Sequence, residues 1–127
     1  MSNRAVISSP MAPEALGPYS QAIKVGNTVW LSGQVPLIPE TMELVTGDIS
    51  AQATQVFENL SAVADAAGCT LNNAVKINIS LTDLNDFAAV NDVMAAFLQE
   101  PYPARACVQV AALPKGAAIE VEAILVL

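Results

Sequence analysis

"AIEVEAILVL", residues 118–127, decides the fold because it is a short strand whose second half is apolar on both faces. Side chains alternate between the two faces of a strand. One face carries Ile119, Val121, Ala123, Leu125 and Leu127, and the other carries Glu120, Glu122, Ile124 and Val126. If helices cover the first face, we expect another subunit to cover the second.

A second strand and a hairpin are predicted upstream of this stretch. "AVKINISL" (74–81) alternates, which places Val75, Ile77, Ile79 and Leu81 together on one buried face. "QAIKVGNTVWLSG" (21–33) contains two β-rich runs around Gly26 and Asn27, a dipeptide suited to the positive φ of a two-residue hairpin turn.

Two one-sided helices complete the pattern. The first spans about residues 50–67, with Asp48 or Ser50 as its cap and Gly68 as its stop. The second starts after Thr82 or Asp83 and continues until Pro101. Its apolar side chains are Phe87, Val90, Met94 and Phe97. Residues 1–127 are therefore predicted to form a single α+β domain, with both helices on one face of a sheet.

The composition favours self-association over a membrane or nucleic-acid role. Charged residues make up 13% of the 127 residues, against about 25% in soluble domains. No apolar run approaches the roughly 18 residues that a membrane-spanning helix needs, and no secretory signal is recognisable, so we expect a cytoplasmic protein. The net charge is −7, which disfavours binding to phosphate backbones.

The chemistry open to this chain is restricted by its residue types. There is no histidine, and Cys69 and Cys107 lack CxxC spacing, so we expect two reduced, mostly buried thiols and no zinc site. Nucleophile systems that need histidine are excluded. Any acid–base work must fall to carboxylates, tyrosine or lysine.

Arg105 is a candidate anion-binding residue in "PYPARACVQV" (101–110). Pro101 and Pro103 stiffen the approach to its strand, and alternation places Arg105, Cys107 and Gln109 on one face, which we expect to point away from the helices. A fixed guanidinium suits a carboxylate ligand, because it offers two parallel hydrogen bonds. An ordinary edge-strand arginine paired with a surface acid is the alternative.

Glu120 is the candidate base, because an apolar strand can raise a carboxyl pKa by desolvation. Glu122 has an equal claim from the pattern alone. Tyr19 in the loop "GPYSQA" (17–22), and Ser32 with Gly33 in "LSGQ" (31–34), are weaker candidates taken singly.

Four stretches in order resemble the signatures of the RidA family, the YjgF-type reactive-intermediate deaminases. They are "GPYSQA" (17–22), "LSGQVP" (31–36), "TDLNDFAAVN" (82–91) and "PYPARACVQVAALPKGAAIEVEAI" (101–124). The resemblance covers nearly the whole chain. It implies a chorismate-mutase-like α+β fold with a mixed sheet, a homotrimer without cofactor or metal, and ligand clefts at the subunit boundaries. The implied reaction is hydrolysis of 2-aminoacrylate and 2-aminocrotonate, or their imines, to pyruvate or 2-oxobutanoate and ammonia.

The resemblance also implies roles for the candidate residues. Arg105 would hold the substrate carboxylate with help from the backbone N–H of Cys107, and Glu120 would orient or activate water. Tyr19 would line the cleft from a neighbouring chain. The residues that would shape the cleft are Ser32, Gly33, Phe87 and Asn91. A trimer that binds 2-oxoacids without turnover is the alternative, and it would need Arg105 but not Glu120. An RNA-directed role has little support in so acidic a chain.

Overall fold

The computed structural model describes residues 3–127, which form a six-stranded mixed sheet and two α-helices. The strands are β1 (Arg4–Ile7), β2 (Ala22–Val25), β3 (Thr28–Gln34), β4 (Ala74–Leu81), β5 (Ala104–Gln109) and β6 (Ile119–Val126), and the helices are α1 (Ile49–Ala66) and α2 (Phe87–Phe97). The order across the sheet is β1-β2-β3-β6-β4-β5. Only the β4–β5 pair in that sheet is parallel. The predicted α+β class is confirmed.

Local sequence signals account for most of the element boundaries. β2 and β3 form the predicted hairpin, in which Gly26 takes a φ of 59°. Asp48 caps α1 by accepting a hydrogen bond from the Ala51 N–H at 3.0 Å. Gly68 follows that helix with a φ of 85°, a conformation that glycine adopts at little cost.

The predicted end of α2 at Pro101 is wrong, because the helix ends at Phe97. Leu98 is extended and its side chain is buried, and the N–H of Gln99 donates to the Asn72 side chain at 3.0 Å. Burial of Leu98 and this hydrogen bond stabilise an extended chain where local propensity alone would allow another helical turn.

Both helices pack on one face of the sheet. Their contact includes Phe57 and Phe97, whose stacked rings lie 5.6 Å apart. Ile119, Val121 and Leu125 of β6 are fully buried beneath them. β6 is thus a central strand with its predicted helix-facing side in the core.

No helix covers the other face within residues 3–127, and we call this the open face. Its strand register aligns a row of apolar side chains across four strands: Val6, Ile23, Trp30 and Ile124. Val6 is 69% exposed and Trp30 is 52% exposed. Such a contiguous exposed apolar surface is typical of an interaction surface.

The prediction for Val75 is wrong, since its side chain is 48% exposed while Ile77, Ile79 and Leu81 are buried as expected. The pairing of β4 with β6 shifts between Ala74 and Lys76, so Val75 is the extra residue of a β-bulge. A bulge breaks the alternation of faces and turns that side chain out of the core.

The helices of residues 3–127 include none that is long and apolar enough to cross a bilayer.

Candidate active site

Arg105 lies on the helix-covered side of the sheet, so the prediction that it points away from the helices is wrong. The parallel register places Arg105 opposite Ile77 and Cys107 opposite Ile79, both of which are buried under the helices. Residues paired across two strands project to the same face. Alternation in β5 is misleading, because its more apolar residues Ala106 and Val108 pair with Asn78 and Ser80 on the face away from the helices. The face of Arg105 is determined by the register of β5 with β4.

Helix α2 holds the guanidinium of Arg105 with three side chains from one stripe. The Asn91 side-chain oxygen accepts a short hydrogen bond from Nη1, and the Met94 sulfur lies 3.8 Å from the same nitrogen. The guanidinium carbon lies 4.9 Å from the centre of the Phe87 ring. Phe87, Asn91 and Met94 are spaced by four and three residues and therefore share one face of the helix.

Within residues 3–127, the hydrogen-bond and ring partners of the guanidinium are neutral side chains, which makes Arg105 a candidate anion site. The expected alternative, a surface ion pair, is not what residues 3–127 form around it. Arg105 also borders a groove of about 500 Å³ between α2 and the segment before β5. An oriented guanidinium without a carboxylate partner retains its charge for a ligand.

The backbone of Cys107 faces the free edge of the sheet. β5 is the terminal strand, and the Val110 N–H donates to the Leu81 carbonyl at 2.8 Å. Alternate N–H groups of a strand point in opposite directions, so those of Arg105 and Cys107 point away from β4. The Cys107 thiol is partly buried, and burial raises its pKa, while the charge of Arg105 acts to lower it.

Glu120 lies on the open face, where it packs against Gly33. Glu120 of β6 pairs with Ser80 of β4. A side-chain carbon added at Gly33 would lie 2.9 Å from the Glu120 carboxyl carbon. Gly33 and Ser32 form a β-bulge, because the two residues together oppose only Glu122 between the flanking pairs of β3 and β6. The absence of a side chain at Gly33 therefore makes room for the Glu120 carboxyl group.

The structure distinguishes Glu120 from Glu122, two carboxylates that the sequence pattern left equivalent. Burial raises the pKa of Glu120, and the charge of Glu122 raises it further. Glu122 is exposed and accepts a hydrogen bond from the Asn78 amide at 3.1 Å. Glu120 is therefore the better candidate for proton transfer. Within residues 3–127, no three Cys, Asp or Glu side chains are arranged to hold a metal ion.

Ser32 connects the bulge to the loop that carries Tyr19. The Ser32 hydroxyl donates to the Ser20 carbonyl at 2.6 Å, and its N–H donates to the Gln21 carbonyl at 3.0 Å. Tyr19 is 55% exposed. These hydrogen bonds link the loop of Tyr19 to the bulge at Ser32 and Gly33, and Gly33 in turn contacts Glu120.

Gln21 is a buried residue that sequence reasoning missed. Its side chain is 4% exposed, accepts from the Ser9 N–H at 2.6 Å and donates to the Pro13 carbonyl at 2.7 Å. It thereby ties the segment before Tyr19 to the start of β2. A single glutamine among loop residues carries no periodic signal, so only the "GPYSQA" stretch itself pointed to this region.

The candidate residues form two groups on opposite sides of the sheet. The helix-side group comprises Arg105, Cys107, Phe87 and Asn91. The second group comprises Ser32, Gly33 and Glu120, and the loop that carries Tyr19 is joined to it through the hydrogen bond from Ser32 to the Ser20 carbonyl. A single chain does not bring these two groups into one site.

Comparison with known proteins identifies the family. The sequence model of the family described as endoribonuclease L-PSP matches residues 9–127. This chain belongs to that family, also called YjgF/RidA. A RidA relative from Dermatophagoides farinae, named 2-iminobutanoate/2-iminopropanoate deaminase, is 51% identical over all of this chain and 99% of its own length.

Solved RidA-family structures share the whole fold. RidA from an Antarctic Psychrobacter species superposes with a TM-score of 0.93 at 60% identity, covering 97% of this chain and 99% of that one. Escherichia coli TdcF, solved with bound serine, superposes with a TM-score of 0.92 at 43% identity, covering 97% and 98%. The mixed sheet with two helices is thus the fold of this RidA family.

Proposed function

We propose that this protein is an imine deaminase that hydrolyses 2-iminopropanoate and 2-iminobutanoate, or the parent enamines 2-aminoacrylate and 2-aminocrotonate, to pyruvate or 2-oxobutanoate and ammonia. The observation that carries the proposal is the guanidinium of Arg105, which α2 orients through neutral contacts and leaves available to a carboxylate. Relatives about half identical to the chain and named 2-iminobutanoate/2-iminopropanoate deaminase support it. The structure of Escherichia coli TdcF with bound serine, a molecule that carries a carboxylate, also supports it.

The reaction is hydrolysis of a C=N bond. An enamine first becomes the imine when its terminal carbon gains a proton and its nitrogen loses one. The water oxygen then bonds to the imine carbon while one water proton goes to the nitrogen, which gives a carbinolamine. The remaining hydroxyl proton moves to the nitrogen as the C–N bond breaks, so that the C=O bond forms and ammonia leaves. The imine carbon is already electrophilic, so positioning and one proton relay suffice. Glu120, with its raised pKa, can accept the water proton and return it to the leaving nitrogen.

The working site in this proposal lies between two chains of a homotrimer. Arg105 and Glu120 occupy opposite faces of one sheet, so a cleft that contains both needs the helix-side edge of one subunit and the open face of the next. The Cys107 N–H at the free sheet edge would join Arg105 on the carboxylate. Tyr19, Ser32 and Gly33 would come with Glu120 from the neighbouring subunit.

The apolar row on the open face supports this assembly, because it would be covered in the trimer. No cofactor or metal is part of the proposal. RNA is not proposed as a substrate despite the description of the family model, since the net charge of −7 opposes binding to phosphates. The cytoplasmic location expected from the sequence stays a prediction.

The test generates the imine in situ with an amino-acid dehydratase and follows release of the 2-oxoacid. We expect the wild-type protein to accelerate release and Arg105→Ala to abolish the acceleration. The control is Lys24→Gln, which removes a positive charge from β2, a strand that three others separate from β5 in the sheet. Equal rates with and without the wild-type protein would refute the proposal.

Calorimetric titration with 2-oxobutanoate separates an enzyme from a passive binder. We expect Glu120→Gln to retain binding and lose turnover, whereas Arg105→Ala loses both. Binding by a wild-type protein that has no turnover would support the alternative, a 2-oxoacid-binding trimer.

A further inference from the structure

Ser32 makes two hydrogen bonds to consecutive residues of the neighbouring loop. Its N–H donates to the Gln21 carbonyl at 3.0 Å and its hydroxyl to the Ser20 carbonyl at 2.6 Å. The Ser32 N–H continues the β2–β3 ladder beyond the Ala22–Leu31 pair, and the hydroxyl of the same residue adds a second bond to the loop. The hydroxyl has only one proton to donate, and the Ser20 carbonyl receives it.

The backbone around Tyr19 is held on both sides. The Tyr19 N–H donates to the Gly17 carbonyl at 2.9 Å, and a side-chain carbon added at Gly17 would meet the Tyr19 ring at 3.8 Å. The buried side chain of Gln21 fixes the chain on the other side. The Tyr19 ring itself is 55% exposed. Tyr19 thus presents an exposed aromatic ring on a backbone that hydrogen bonds hold in place, an arrangement suited to contact with a ligand.

We propose that Ser32 is a positioning residue: its hydroxyl holds the Ser20 carbonyl and thereby sets the place of Tyr19 in the cleft, and it does not donate to the substrate. The role in turnover rests on the proposed imine deaminase activity. It differs from a substrate-binding role for Ser32, because its effect must pass through Tyr19.

The first test compares Ser32→Ala with Ser32→Thr, which keeps a hydroxyl on the same carbon. We expect Ser32→Ala to lower kcat about tenfold, as loss of one hydrogen bond that orients a reacting group would, and to leave the Kd for 2-oxobutanoate within about twofold. Ser32→Thr should recover most of the loss. The matched control is Thr54→Val, which removes a hydroxyl that donates to the Ser50 carbonyl at 2.8 Å inside α1, and it should leave kcat unchanged.

A double-mutant cycle with Tyr19→Ala then decides whether Ser32 acts through Tyr19. We expect Ser32→Ala to lower kcat less than about twofold in the Tyr19→Ala background, because coupled residues are non-additive. A full tenfold loss in that background, or a large rise in the Kd for 2-oxobutanoate in Ser32→Ala alone, would overturn the proposal in favour of direct substrate contact.

Amide hydrogen exchange tests the same link without any turnover. Peptides covering residues 17–22 should exchange faster in Ser32→Ala than in the wild-type protein, and at the wild-type rate in Ser32→Thr and Thr54→Val. Unchanged exchange in Ser32→Ala overturns the positioning role. A wild-type protein without turnover refutes the proposed deaminase activity, and the exchange result still decides whether Ser32 holds the loop.

Discussion

Arg105 and Glu120 lie on opposite faces of the same sheet, one beneath α2 beside Ile77 and the other on the open face beside Ser80. Side chains so arranged cannot act on one small substrate from a single chain. If both are required for turnover, each active site must take one residue from each of two subunits. This consequence distinguishes an interfacial site from two separate sites.

Mixed oligomers of Arg105→Ala and Glu120→Ala chains should therefore regain activity that neither variant has alone. Equal mixing in a cyclic assembly leaves about one quarter of the sites with both native residues. Turnover is measured after the two chains are unfolded together and refolded. Mixing Arg105→Ala with the Arg105→Ala/Glu120→Ala double variant is the control, because no site then has both. Native mass spectrometry that finds mixed oligomers without recovered turnover would contradict an interfacial site.

Gly33→Ala is expected to impair catalysis more than stability. The new side-chain carbon would lie 2.9 Å from the Glu120 carboxyl carbon, so the flexible glutamate must move away while the backbone stays in place. We expect kcat to fall about 10- to 100-fold, as for a misplaced reacting group. The free energy of unfolding, measured by thermal denaturation, should change by no more than about 1 kcal/mol.

Gly26→Ala is the converse control, since Gly26 has a φ of 59° and open space around it. That variant should lose about 1 kcal/mol of stability and keep its kcat. A Gly33→Ala protein with wild-type turnover would show that the position of Glu120 does not matter.

The pH dependence of turnover should reflect the pKa of Glu120 and the effect of the neighbouring Glu122 charge on it. Burial and the charge of Glu122 both raise the pKa of Glu120 above its ordinary value of 4.5. If ionised Glu120 is the base, turnover rises as the pH passes that raised pKa. Glu122→Gln removes the repulsion and should move the midpoint to lower pH, while its amide oxygen can still accept from Asn78. Asp65→Asn, an exposed change on α1 and therefore on the other side of the sheet from Glu120, is the control, and an equal shift in both variants would argue against local coupling.

The raised pKa of Glu120 also predicts how the free energy of unfolding depends on pH. Because folding raises the pKa of Glu120, the native state binds this proton more tightly than the unfolded chain does. The free energy of unfolding contributed by this proton is fully present below the ordinary pKa and is lost as the pH rises through the raised pKa. Denaturant unfolding of Glu120→Gln should lack that part of the pH dependence. An unchanged pH dependence in Glu120→Gln would mean that folding does not raise this pKa.

The sequence predicts most of the elements because their signals are local. The bounds of β4 follow from the alternation in "AVKINISL", and the cap of α1 follows from Asp48. The errors at Val75 and Arg105 have one cause, since both depend on strand register. A bulge against β6 turns Val75 outward, and pairing with β4 turns Arg105 under α2.

The sequence predicted which residues belong to the candidate site but not on which face of the sheet each of them lies. Family motifs identified Arg105 and Glu120, whereas their separation across the sheet depends on tertiary pairing. The choice between Glu120 and Glu122 depends on burial against Gly33, which alternation cannot reveal. Gln21 has no periodic pattern, and its importance follows only from its buried hydrogen bonds.

Trp30→Lys tests whether the open face is a subunit interface. Trp30 is 52% exposed in the chain and pairs with Ile124 within the apolar row, so a lysine there should not disturb the core. A buried unpaired charge at an interface is costly, so we expect sedimentation to find a mass near 13.2 kDa for this variant and three times that for the wild-type protein. Its circular dichroism should be unchanged and its turnover lost. Ala66→Lys, which adds the same charge at an exposed position at the end of α1, should remain assembled. A Trp30→Lys protein that still sediments as the wild-type oligomer would place the interface elsewhere and remove the open face from the proposed cleft.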